Sequence, residues 1–137
     1  MNLRLKTTLD VEAKLIELQT GLQFSTKAAV MRLAMGYSLR IPSDPTLQNL
    51  ITGHYNIKNQ NGQEYMRFTI LLGDDAMYKM LFEQHLQKSL SEEEFFPRMI
   101  YSHIERGISL LYSEYKYAKR KDKLFADLLL KSKVNKL

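Results

Sequence analysis

Cysteine is absent from all 137 residues. Disulfides, thiolate metal ligands and cysteine nucleophiles are therefore excluded together, which suits a reducing compartment. No stretch approaches the roughly 18 consecutive apolar residues that a membrane span requires. The opening Met1-Asn2-Leu3-Arg4-Leu5-Lys6 lacks the long apolar centre of a secretory signal. A soluble cytoplasmic protein is the expectation. Catalytic signatures are missing as well. There is no Gly-x-Ser-x-Gly, no phosphate-binding glycine loop and no His-Glu-x-x-His. His54, His85 and His103 include no pair at the i, i+4 spacing of a metal site. The expectation is a chain with no catalytic residues, metal or cofactor of its own.

What is present is enough for one packed domain, since 45% of the residues are apolar. The net charge of +5 is unevenly placed. Residues 1–112 hold 12 Lys/Arg against 12 Asp/Glu, whereas residues 113–137 hold eight basic and three acidic residues. The charge map thus divides the chain into a helical DNA-binding and assembly domain, 1–112, and a basic C-terminal helix or tail, 113–137. The tail contains Lys116, Lys119, Arg120, Lys121 and Lys123. Such a cluster suits a polyanion, nucleic acid first, or simply a solvated helix end.

The periodicity is mainly helical. Leu3, Leu5 and Thr7 alternate with Arg4, Lys6 and Thr8, which reads as a short half-buried strand. Asp10 stands where an acidic cap would open a helix. Val11, Leu15, Leu18 and Leu22 follow at helical spacing, and Gly21 marks the helix end. Ser25 and Thr26 can cap a second helix, apolar nearly all round, that Pro42 and Pro45 stop. Asn61-Gly62 signals a hairpin with flanking strands over about 54–59 and 64–70. Met66, Phe68, Ile70 and Leu72 would share one strand face and Arg67 and Thr69 the other. Gly73-Asp74-Asp75 opens a further helix; its paired aspartates lack the extra carboxylates of a two-metal site, so capping is the reading. Ser91 caps a last helix running from about 92 to 118 and onward, with Glu92, Glu93 and Glu94 in its first turn and Pro97 tolerated there.

Strand, helix, helix at 3–8, 10–21 and 25–40 has an echo at 66–72, 74–87 and 92–113, a candidate pseudo-repeat. Gly36-Tyr37-Ser38-Leu39 echoes Gly107-Ile108-Ser109-Leu110. The fold class expected is mainly α, a small helical domain related to the ribbon-helix-helix proteins. In that architecture a two-stranded ribbon enters the DNA major groove. Arg4, Lys6 and Thr8 would point outward on the first strand and Arg67 on the second. Ser25, Thr26 and Lys27 would present a helix start to phosphate. A charged edge strand that protects against aggregation explains the same pattern. Tyr101, Tyr112, Tyr115 and Tyr117 interleave with Lys116 and Lys119, which suits helix packing or stacking on single strands. His103 suits a packing or hydrogen-bonding role.

Three stretches resemble the DndE family of DNA sulfur modification (phosphorothioation) proteins. They are His103-Ile104-Glu105-Arg106-Gly107-Ile108-Ser109-Leu110-Leu111, Leu50-Ile51-Thr52-Gly53-His54-Tyr55, and the opening from Arg4-Leu5 through Phe24-Ser25 to Arg32-Leu33-Ala34. The resemblance spans most of residues 3–112 and leaves the basic tail uncovered. It implies a homo-oligomer (a tetramer), binding to nicked duplex DNA, and partnership with the other Dnd proteins, which supply the chemistry. It further implies DNA contact by a glycine-bearing loop at a place comparable to Gly21. Joined to the residue pattern, the candidate DNA-binding set is Arg4, Lys6, Thr8, Gly21, Ser25, Thr26, Lys27, Arg67, Lys119, Arg120 and Lys121. The alternatives are a ribbon-helix-helix repressor or antitoxin, and a purely structural interaction subunit.

Overall fold

The computed structural model describes residues 2–47 and 61–135. Among them are five α-helices and one two-stranded antiparallel sheet. Strand β1 is Arg4–Lys6, with Leu5 buried between two exposed neighbours as the alternation requires. Helix α1, Leu9–Gly21, is capped by Thr8, whose hydroxyl accepts from the Val11 backbone N–H. The cap is therefore Thr8 rather than Asp10, which lies inside the first turn. Helix α2, Lys27–Leu39, is capped by Thr26 accepting from the Ala29 N–H.

Strand β2, Glu64–Met66, pairs with β1 in the register Arg4 to Met66, Leu5 to Tyr65 and Lys6 to Glu64. A second ribbon strand inside the chain is thus present, but it ends at Met66. The expected strand over 67–70 is instead helix α3, Arg67–Leu71. Alternating Met66, Phe68, Ile70 and Leu72 misled because one helical turn also buries a neighbouring pair, here Ile70 and Leu71. The proposed strand at 54–59 and the stretch Leu50 to Tyr55 lie outside the described residues.

Helix α4, Asp75–Leu86, follows Gly73-Asp74, but the Asp74 side chain makes no capping bond. Ser91 and Glu94 form a reciprocal capping box: the Glu94 N–H donates to Ser91 Oγ and the Ser91 N–H to Glu94 Oε1. The helix they open does not run on. Phe96 is extended and the Phe96–Pro97 peptide is cis, so Glu94–Met99 is a kinked segment and regular helix α5 covers Ile100–Asn135. Pro97 is therefore a break rather than a tolerated first-turn residue.

Helix α2 is the centre of the domain, and its most extensive packing is with α5. Val30, Met31, Ala34 and Met35 meet a core that includes Leu15, Leu18, Ile70, Phe82, Phe95, Ile100, Ile104 and Ile108. Each such fully buried aliphatic or aromatic side chain contributes roughly 1.5–3 kcal/mol against exposure. The strand-helix-helix order recurs with an additional short helix in the second half, and the two strands pair with each other. The matched glycines differ: a Cβ at Gly36 would meet nothing within 4 Å, whereas Gly107 is jammed against α2. No described helix is long and apolar enough to cross a membrane.

Candidate nucleic-acid interface

The ribbon turns four side chains outward: Arg4 and Lys6 from β1, Glu64 and Met66 from β2. Arg4 donates to Glu64 Oε1 at 3.4 Å, an exposed pair with little energetic weight. Beneath the ribbon lies a closed polar network. Glu12 is buried, and its Oε1 accepts from the Thr7 hydroxyl at 3.0 Å and the Tyr65 hydroxyl at 2.5 Å. Burial and the Glu12 carboxylate push the Tyr65 phenol upward, so it remains a donor. Lys27 Nζ closes the network on Glu12 Oε2 at 3.1 Å and Gln63 Oε1 at 2.6 Å. Lys27 is thus held by its own fold, with a quarter of its side chain exposed.

Thr8 and Thr26 spend their hydroxyls on capping bonds. Ser25 is exposed in the turn between α1 and α2, and its carbonyl accepts from Gln19 Nε2. Gly21 lies under the ring of Tyr115; a Cβ there would sit 2.8 Å from Tyr115 Cε2 and closer to the hydroxyl end. The close approach at Gly21 is therefore made by α5. Around that contact Glu17 accepts from Lys116 Nζ and from the Tyr112 hydroxyl, and the Lys116 bond, with Tyr112 second, holds its carboxyl below the usual range.

Arg67 does not belong to an outward face. It is the first residue of α3 and is buried, with Nε donating to Asp75 Oδ2 at 2.5 Å and Nη1 donating to Glu92 Oε1. Its guanidinium lies over the rings of Phe95 and Phe96, 5.4 and 4.9 Å from the centroids. Burial alone would lower its pKa, but the bonds from Glu92 and Asp75 more than offset that and raise it. Asp75, read as a cap residue, is instead half of this clamp.

The exposed cations gather on α5. Lys116, Lys119, Arg120 and Lys123 line one shallow surface, starting beside the α1 end at Gly21. Lys121 is also exposed, next to that strip in sequence. Lys119 stands over the Tyr115 ring at 5.9 Å. The turn 21–26 and the start of this basic strip therefore adjoin, while the ribbon contributes Arg4 and Lys6 separately. Among the described residues no three His, Cys, Asp or Glu side chains group as a metal site.

The segment around His103 has a structural explanation that sequence reasoning missed. The Arg106 Nε–H donates to Ser38 Oγ, so the Ser38 hydroxyl is left to donate to His103 Nδ1, both at 2.8 Å. Arg106 also donates to the carbonyls of Ser38, Ile41 and Ser43, placing a cation at the carbonyl end of α2. Gly107 lets α5 cross α2 at contact distance: a Cβ would lie 2.9 Å from Ala34 Cα and closer to its carbonyl. His103 stacks on Phe82 with centroids 4.5 Å apart. Burial, then Arg106 and His85, push its pKa down to about 3, so it is a neutral packing histidine.

These parts are those of one family. The model of DNA sulphur modification protein DndE matches residues 4–119. The chain belongs to the DndE family. No curated protein matches it. The DndE match takes in the ribbon, the α1–α2 turn and the His103–Gly107 lock, and ends at Lys119, inside the basic strip. Membership of the DndE family ties the chain to DNA sulfur modification.

Proposed function

We propose that this chain is a non-catalytic, cytoplasmic DNA-binding subunit of the DNA phosphorothioation machinery, one that binds nicked duplex DNA and assembles with the other Dnd proteins. The observation that carries the reading is the DndE family match across residues 4–119. The arrangement of cations supports it. Lys116, Lys119, Arg120 and Lys123 form one strip beside the Gly21–Thr26 turn, where a phosphate backbone would meet several of them at once. Arg4 and Lys6 on the ribbon make a second, smaller contact. Thr8, Thr26, Lys27 and Arg67 then act by shaping the surface, since their polar groups are already engaged within the fold. No cofactor enters this role; the sulfur and nucleotide chemistry belongs to partner proteins.

The chain works as a homo-oligomer, a tetramer in this reading. Exposed Phe68 and Leu72 around α3, with Met66 before it, support assembly through the body, because large apolar side chains grouped in sequence and space mark contact surfaces. A repressor or antitoxin of ribbon-helix-helix type is the second reading, favoured by the intrachain ribbon. Its outward face, however, sets Glu64 directly opposite Lys6, which weakens groove entry. Gel-shift comparison of nicked, intact and single-stranded DNA at low salt tests the proposal. Preference for the nicked duplex is expected. Equal, negligible binding to all three would remove it, and a sharp palindromic motif selected from random duplexes would favour the repressor.

A further inference from the structure

Helix α5 leaves the body after Lys116. Tyr117 and every residue from there to Leu130 is exposed, yet the helix runs on to Asn135. At 1.5 Å per residue the projecting part, residues 117–135, is about 28 Å long. It carries Tyr117, Leu124, Phe125, Leu128 and Leu129, each at least half exposed. Positions 117, 124 and 128 and positions 125 and 129 fall on adjoining rows of one helix face. Lys119, Arg120 and Lys123 fall on the other side. Within this face only Lys121 is charged.

We propose that this apolar face pairs with the same face of a second copy of the chain, with the basic sides turned outward. Three observations select that occupant. The five side chains offer on the order of 500 Å² per helix, so two copies would bury on the order of 1,000 Å², the lower bound for a specific contact. An acidic partner groove would call for cations along the rim of the apolar face, whereas most of the cations lie behind it. A neutral seam between two copies keeps those cations apart. Lys121 sets the orientation. Parallel helices would bring the two Lys121 side chains together; antiparallel helices separate them, so the pair is antiparallel. The segment lies largely beyond Lys119, where the DndE match ends, so the contact goes beyond any assembly made by the body.

The absence of cysteine makes the test direct. Leu124→Cys, near the middle of the apolar face, and Lys123→Cys, on the opposite side, are placed singly in the full chain and oxidised at micromolar concentration. The first should form a covalent dimer at least tenfold faster than the second. Leu124→Glu with Leu128→Glu, both at exposed positions, should lower the mass measured by sedimentation equilibrium while the melting of the body is unchanged. Equal oxidation rates, or an unchanged mass in the double variant, would overturn the proposal. So would a chain whose projecting helix is protected only on phosphatidylserine vesicles. If the chain is oligomeric yet Leu124→Cys does not cross-link, the helix pairing fails while assembly through the body stands.

Discussion

Replacing Gly107 with alanine tests the crossing on which the domain is built. An added Cβ would lie 2.9 Å from Ala34 Cα and nearer still to the Ala34 carbonyl. The obstacle is backbone inside α2, so no side-chain rotation relieves it. The helices must part by about an ångström, and such overpacking costs typically 1–3 kcal/mol, occasionally more. Separation also strains the Ser38–His103 bond and the Arg106 bonds to the end of α2, each contributing on the order of 1 kcal/mol. Against this, alanine gains about 1 kcal/mol of helix propensity over glycine. The net expectation is a loss of about 2–4 kcal/mol. In a domain of this size that lowers Tm by roughly 6–16 °C. Gly36→Ala is the internal control, because nothing lies within 4 Å of its Cβ position; it should stabilise by up to about 1 kcal/mol. Urea denaturation followed by circular dichroism reads both. A Gly107→Ala variant within about 1 kcal/mol of wild type, or matching Gly36→Ala, would refute the close crossing.

His103 makes stability pH-dependent. Its folded pKa of about 3 lies below the unfolded value near 6.5, so the unfolded chain takes up the proton first. Its contribution is complete above about pH 6.5 and is lost as pH falls towards 3; by pH 5 the loss is about 2 kcal/mol, a slope that His103→Gln should flatten in urea titrations. Arg67→Met leaves Asp75 and Glu92 facing each other without their cation and should cost about 2–4 kcal/mol, reduced from the fully buried case because both carboxylates are partly exposed. The same variant, at a temperature where it is folded, should keep the wild-type salt dependence of DNA binding, which a phosphate contact at Arg67 would not allow. Alanine at Lys119, Arg120 and Lys123 together should reduce the slope of log K against log salt by roughly 2–3, measured by fluorescence anisotropy.

Local signals in the sequence were read where one short segment contains both donor and acceptor. Thr26 lies three residues before Ala29, and Ser91 three before Glu94, so their caps are visible in the string itself. Alternation at Leu5 and Thr7 likewise reports a buried strand face. The errors arise where distant partners decide. Arg67 looks outward until Asp75 and Glu92, 8 and 25 residues away, close on it. Asp75 looks like a cap for the same reason. Gly21 reads as a helix end, and it is one, but its other neighbour is Tyr115 on the far side of the fold. His103, Arg106 and Gly107 carry no visible purpose until α2 supplies Ser38 and Ala34. The basic excess of the tail was legible by counting; that its cations share one strip beside the α1–α2 turn required the helix.

The central claim is that this DndE-family chain serves DNA by direct contact. Anisotropy titration of the full chain with a nicked duplex, from about 50 to 200 mM salt, tests it most directly. The account predicts binding at the lowest salt, tighter than to the intact duplex. Three to four contacts from the α5 strip should give log K a fall of roughly 3 per log unit of salt, steeper if the ribbon also engages. No binding at the lowest salt, or a flat dependence on salt, would contradict it.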